Sequence, residues 1–264
     1  MRPLVMGVLN VTPDSFSDGG RYLSPDAAVA RGLEMVEEGA DIVDVGGESS
    51  RPGAEPVPAS EELRRVVEVV RALAQVVRVS IDTVKAEVAA AAIDAGATML
   101  NDISASLAPV AAEAGIGWVA MHCQGTPPTM QHDPRYGDVV GEVRAFLRSK
   151  AGEAEHLGVG EIWVDPGFGF GKTFAHNVSL LAGLGRIVED GRPVLVGTSR
   201  KSFVARLGVP AGGPAPGPAQ RLEGSLATAT VAMAQGAAMV RVHDVAATVQ
   251  AAQLVGAPGG ATVP

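Results

Sequence analysis

Two groups of chemistry-bearing residues recur at the ends of apolar runs in this chain. Asp82 and Asp165 close the runs VRVSID and EIWVD, and Asn101 stands at the polar end of TMLND. Two carboxylates and an amide gathered in an apolar bore suit a flat, nitrogen-rich heterocycle with N–H groups on its edge, because buried carboxylates are costly without donors. The local alternative is that either aspartate caps the following helix or pairs with Lys201. Arg241 and His243, in VRVH, stand two apart on a strand-like run, which puts both side chains on one face. With Arg51 they suit the oxygen fork of a phosphate or diphosphate. Asn10, closing LVMGVLN, is then placed to meet a Mg2+ ion that bridges to the diphosphate. The alternative here is a structural Arg–carboxylate pair, with His243 capping the helix that begins at DVAATV. Lys201, in GTSRKS, is either a Schiff-base nucleophile or a donor to a ring acceptor. Its neighbours Arg200 and Ser202 could hold a carboxylate.

The stretch VDPGFGFGKT, 164–173, resembles a phosphate cradle at first sight. It fails both standard patterns. A P-loop needs glycine at 166, where Pro166 stands, and G-x-G-x-x-G fails because Gly171 follows Gly169 one position early. His122 reads as a structural histidine. Cys123 beside it has no metal-ligand spacing, and neither H-x-H nor H-E-x-x-H occurs, so a zinc site is not expected.

The elements that must position these residues follow from periodicity. Eight short apolar runs, rich in Val, Ile, Leu and Met on both faces, read as strands of a buried parallel sheet. Between them lie helical patterns such as SPDAAVARGLEMVEEGA and SEELRRVVEVVRALAQ, several ending at a glycine. Eight strand–helix units in 264 residues predict a single-domain α/β fold, a (β/α)8 TIM barrel over 1–255 with a frayed tail over 256–264. A doubly wound open sheet is the runner-up, and it lacks its glycine-rich turn after the first strand. In a barrel the polar strand ends converge on one mouth, where such folds place their active sites. The Pro/Gly-rich segment 208–220 reads as a mobile loop after the seventh strand.

Bulk properties exclude several classes. With 21 basic against 29 acidic residues the net charge is −8, which disfavours nonspecific binding to nucleic acid or anionic membranes. No apolar run is long enough for a membrane span, and the N-terminus does not read as a signal peptide. The single cysteine, Cys123, rules out an intrachain disulfide and fits the cytoplasm.

Several long strings, in order, resemble the dihydropteroate synthase family of the folate pathway, which sulfonamides inhibit: MGVLNVTPDSFSDGG (6–20), DVGGESSRPGA (44–54), SIDT (80–83), NDIS (101–104), MHCQGTPPTMQ (121–131), DPGFGFGKT (165–173), GTSRKS (197–202), RLEGSLA (221–227) and VRVHDV (240–245). The resemblance spans nearly the whole chain. It implies the joining of 6-hydroxymethyl-7,8-dihydropterin diphosphate to 4-aminobenzoate, with release of diphosphate. It assigns the pterin to Asp82, Asn101, Asp165 and Lys201, walled by Met121 and Phe170. It assigns the diphosphate to Asn10, Ser50, Arg51, Arg241 and His243, with Asn10 also contacting Mg2+. It lines the aminobenzoate pocket with Phe16, Pro52, Phe170, Lys201 and Ser202. Of these, Asp82, Lys201, Arg241 and His243 carry the catalysis. The glycine-rich stretch then serves to pass the chain close to the pterin, and Lys172 is not a phosphate lysine. A homodimer through the last helices is also implied. Position 50 carries Ser where the family commonly has Thr, which keeps the hydroxyl, and the 208–220 segment is longer than expected. The competing readings are a pterin-dependent methyltransferase, for which the diphosphate fork is superfluous, a Schiff-base aldolase using Lys201, and a non-catalytic pterin binder.

Overall fold

The computed structural model describes residues 2–12, 25–49, 56–126, 129–209 and 213–257. Eight parallel strands run in the order β6-β5-β4-β3-β2-β1-β8-β7. They are β1 Leu4–Asn10, β2 Ile42–Gly46, β3 Arg78–Asp82, β4 Met99–Asp102, β5 Gly117–Met121, β6 Ile162–Asp165, β7 Leu195–Val196 and β8 Met239–Val242. The gap between the two ends of the sheet is bridged by a parallel pairing of Val164 with Val194, which makes this the expected barrel. Strand β7 is shorter than its run PVLVG implied, although the Pro193 carbonyl already accepts from the Val164 N–H at 3.1 Å.

Helices cover the outside: α1 Pro25–Glu37, α2 Ala59–Leu73, α3 Ala86–Asp94, α4 Ala108–Ala114, α5 Val139–His156, α6 Phe174–Ala182, α7 Gly185–Val188, α8 Leu222–Ala234 and α9 Val245–Gly256. In α2 the buried Val66, Val69, Val70 and Leu73 recur at three- and four-residue spacing, so one stripe faces the sheet. Glu61 and Glu62 sit in its first turn, where the helix dipole favours acid. The pattern FAHNVSLLAGLGRIVEDG, which reads as one helix, is two, because the chain leaves α6 at Gly183 and restarts as α7. Within 208–220, Pro218–Gln220 form a short 3-10 turn, while 210–212 and the tail from 258 lie outside the described residues. Among the described residues no helix is long and apolar enough to cross a membrane.

Strand alternation sorts the core into two. Residues facing the helices form the larger cluster, with Val43, Val45, Val79, Ile81 and Leu100 fully buried or nearly so. Met6, Ile42, Met99, Val119, Trp163, Leu195 and Met239 form a second cluster inside the barrel, and they plug its lower half. Two residues further along their strands, the same inward face carries Asp44, Asn101, Met121, Asp165 and Arg241. The bore is therefore apolar below and polar above.

Candidate active site at the barrel mouth

The polar layer is held by one buried charge network. Arg241 on β8 donates through Nε to Asp44 Oδ2 at 2.5 Å and through Nη2 to Asp82 Oδ2 at 2.7 Å. Asp44 also accepts from Asn101 Nδ2 at 3.0 Å. One guanidinium thus serves two carboxylates. Burial, opposed by Arg241 and reinforced by Asp44, pushes the Asp82 carboxyl up to about 7. Burial disfavours the Arg241 charge too, yet Asp44 and Asp82 hold it above its ordinary value. The guanidinium is the fixed charge of the network, and the Asp82 carboxyl sits well above the usual carboxylate range.

Asp165 and Lys201 form the opposite wall. Asp165 accepts from the Gly167 N–H at 2.7 Å, and burial raises its pKa against the pull of Lys201. Lys201 donates to the Phe168 carbonyl at 2.6 Å and stands 4.6 Å from the centre of the Phe170 ring. Burial lowers Lys201 to about 8, with Asp165 acting against the fall.

The glycine-rich turn builds this wall. Gly167, Gly169 and Gly171 have φ of +68°, +80° and +59°, the left-handed region that glycine alone enters freely. A Cβ on Gly167 would stand 1.8 Å from the His122 carbonyl oxygen, and one on Gly171 would stand 2.3 Å from that of Gln124. Only glycine lets the two strand-end loops pass so closely. Lys172 ties them together. Its Nζ is 2.9 Å from the Gly167 carbonyl, 3.0 Å from that of Phe170 and 3.0 Å from His122 Nδ1. Burial drops Lys172 to about 7 and, with Lys172 alongside, His122 to about 3. Lys172 faces neutral acceptors inside the protein, which makes it a strap rather than a phosphate ligand. Thr173 then caps α6 through His176 N–H at 3.1 Å.

Beside Asp82 the mouth opens into a cavity of about 520 Å³, lined among others by Thr83, Lys85, Ile103, Met121 and Cys123. Its rim carries a second charge cluster. Lys85 donates to both Glu48 and Glu62, and the buried Glu62 accepts from Thr83 Oγ1 at 2.7 Å. Glu48 in turn accepts from the Val57 N–H at 3.1 Å.

Most of the sequence-predicted residues come together here. Asn10, Asp82, Met121 and Asp165 end their strands at the mouth, and Asn101 sits one residue before the end of β4. His243 lies just beyond β8 rather than on it, and its ring Nδ1 is 3.0 Å from Ser199 Oγ. Asp244, not His243, is the N-cap position of α9. Ser202 is exposed on the turn after Lys201. Arg200 does not stand ready for a carboxylate ligand, since it is paired with Asp244 at 2.5 Å. Of the two readings of Arg241, the Arg–carboxylate pair is present, and its partners are Asp82 at the mouth and Asp44 beneath it. Asp82 binds Arg241 instead of Lys201. Phe16, Ser50, Arg51 and Pro52 lie outside the described residues.

Asp44, Lys85, Glu62 and Glu48 were not among the expected site residues. For Asp44 a signal existed: a carboxylate in the middle of the apolar run DIVDV, at an inward position of the strand. Glu62 and Lys85 read as ordinary surface charges of helices and turns, and nothing in their spacing marks them.

Known proteins resemble this chain in sequence and fold. The family described as pterin binding enzyme matches residues 6–243. The dihydropteroate synthase of Mycobacterium leprae is 49% identical over 262 residues, covering 96% of this chain and 92% of that protein. The dihydropteroate synthase of Xanthomonas albilineans solved with 4-aminobenzoic acid is 48% identical, with a TM-score of 0.87, covering 96% of this chain and 92% of that one. The structure of that enzyme in complex with 7,8-dihydropteroate is 46% identical, with a TM-score of 0.83 over the same shares. With a barrel of eight strands, a polar mouth and these relatives over nearly its full length, the chain belongs to the dihydropteroate synthases of the pterin-binding enzyme family.

Proposed function

We propose that the chain joins 6-hydroxymethyl-7,8-dihydropterin diphosphate to 4-aminobenzoate, giving 7,8-dihydropteroate and diphosphate. The observation that carries the reading is the gathering of Asp82, Asn101, Asp165, Lys201 and Arg241 on one polar layer above an apolar plug. A bicyclic ring rich in N–H donors satisfies acidic and amide acceptors that are otherwise costly to bury. Asp165 and Asn101 take the donor edge. Lys201 offers its ammonium to ring acceptors, and Met121 and Phe170 wall the faces.

The bond that breaks is the carbon–oxygen bond between the pterin methylene and the diphosphate, and its electron pair leaves with the diphosphate oxygen. The electron-rich dihydropterin shares the positive charge left on the methylene carbon, and ionised Asp82 favours that charge. The lone pair of the aromatic amine then forms the new carbon–nitrogen bond, and the amine proton passes to solvent. Arg241 commits Nε and Nη2 to the two aspartates, so Nη1 is the group left to the departing oxygens. His243, oriented by Ser199, joins it, and Arg51 and Ser50 complete the anion site on this reading.

Among the described residues no cluster of three or more His, Cys, Asp or Glu could hold a metal. On this reading Asn10, at the end of β1, would give one ligand to Mg2+, an ion that keeps several waters and takes other ligands from substrate phosphates. Bound there with the diphosphate, it would neutralise leaving-group charge. The same reading carries a homodimer through α8 and α9, where Val231 is 46% and Leu254 76% exposed, and a cytoplasmic setting.

The test is diphosphate release by the purified chain with the pterin ester and Mg2+, with and without 4-aminobenzoate. Release that requires aminobenzoate supports the reading. No release, or release indifferent to aminobenzoate, removes it. Borohydride with a carbonyl substrate should trap no adduct on Lys201.

A further inference from the structure

We propose that Asp44 is a positioning residue that fixes, from beneath the site, which end of the Asn101 amide the substrate meets. The inference rests on the pterin reading above and goes beyond it. Asp44 lies two residues before the end of β2, in register with Val8 and Ser80, one inward layer below the mouth. It is fully buried. Its Oδ2 accepts from both Asn101 Nδ2 and Arg241 Nε. A carboxylate paired with a guanidinium can only accept, so the amide nitrogen of Asn101 must turn towards it. The amide oxygen is thereby committed to the other direction. That oxygen has no partner among the described residues, and it is buried. A buried acceptor without a donor costs about 1–3 kcal/mol, which a ligand N–H would recover.

The consequence is a choice of substrate edge. With Asn101 locked as an acceptor beside Asp82 and Asp165, this wall reads donors. A pterin bears an exocyclic amino group on its edge. Its 2-oxo counterpart, a lumazine, bears an acceptor in that place. The lock converts a side chain that could serve either edge into one that discriminates. Removing the Asp44 charge frees the amide to turn over.

The experiment is calorimetric binding of 6-hydroxymethylpterin and 6-hydroxymethyllumazine to the wild-type chain and to Asp44→Asn, which keeps shape and loses charge. The wild type should prefer the pterin, and D44N should shrink the pterin-to-lumazine ratio about tenfold, the value of one neutral hydrogen bond. A merely structural role for Asp44 would weaken both ligands alike, and an unchanged ratio overturns the proposal. Asn101→Ala with Asp44 intact gives a second arm should D44N fail to fold. It should lose the same discrimination, and full discrimination in N101A overturns the proposal equally. A wild type that binds neither ligand would instead refute the pterin reading itself, a distinct outcome visible before any variant is made.

Discussion

Replacing Gly167 with alanine should be among the most damaging single-methyl changes in the molecule. The added carbon would stand 1.8 Å from the His122 carbonyl oxygen and 2.9 Å from its carbon. Both are backbone atoms, so no side-chain rotation relieves the overlap, and one of the two loops must move. Movement breaks the bond from Gly167 N–H to Asp165 at 2.7 Å and the bond from Lys172 to the Gly167 carbonyl at 2.9 Å. Each involves a charged partner and is worth about 1.5–3 kcal/mol. The left-handed conformation adds about 1 kcal/mol for an alanine. The expected loss is about 4–7 kcal/mol, a large part of the stability of an ordinary domain. Gly158→Ala is the matched control, because Gly158 has φ +88° and a Cβ added there would meet nothing within 4 Å. It should lose only the conformational part, about 1 kcal/mol. Urea unfolding of both variants, read at equal slope, measures the difference. If G167A and G158A unfold within about 1 kcal/mol of each other, the close packing of the glycine-rich turn on the loop after β5 is not what holds Asp165 in place.

Further outcomes follow from the charge network. Arg241→Ala leaves Asp44 and Asp82 buried without their cation, so unfolding should ease by about 3–5 kcal/mol, and turnover should fall by about a hundredfold or more; normal turnover would remove Arg241 from the site. Asp82 has a folded pKa raised to about 7 from 3.8, so its contribution is fully present below about pH 4 and is lost as the pH rises through about 7. The difference in melting temperature between wild type and Asp82→Asn should therefore change across that window, and a flat difference contradicts the assignment. Lys172 is lowered to about 7 from 10.5, so the unfolded chain binds the extra proton between those values and stability should rise with pH there. Lys172→Met should remove that rise, which melting curves at pH 7 and above will show.

The barrel was legible because its signal is repeated. Eight apolar runs with glycine-ended helices between them leave few other architectures, and the polar residue closing each run marks the mouth. Less was legible where contacts join distant segments. The pairing of Arg241 with both Asp44 and Asp82 links strands β8, β2 and β3, and no local pattern announces it. The same holds for Lys172, whose partners lie on its own loop and at His122, fifty residues earlier. Its burial depends on how the two loops cross. Arg200 failed as a ligand residue because Asp244, forty-four residues on, claims it. Asp44 could have been found from the strand pattern, since an inward carboxylate in an apolar run needs a partner.

The most direct test is a crystal structure of the chain with the pterin diphosphate ester bound. If the polar layer is the pterin site, the donor edge of the ring will lie within hydrogen-bonding distance of Asp165 and Asn101, and the phosphorus atoms will lie beside His243 and Arg241. A ring seated away from Asp165, or phosphates remote from His243, contradicts it.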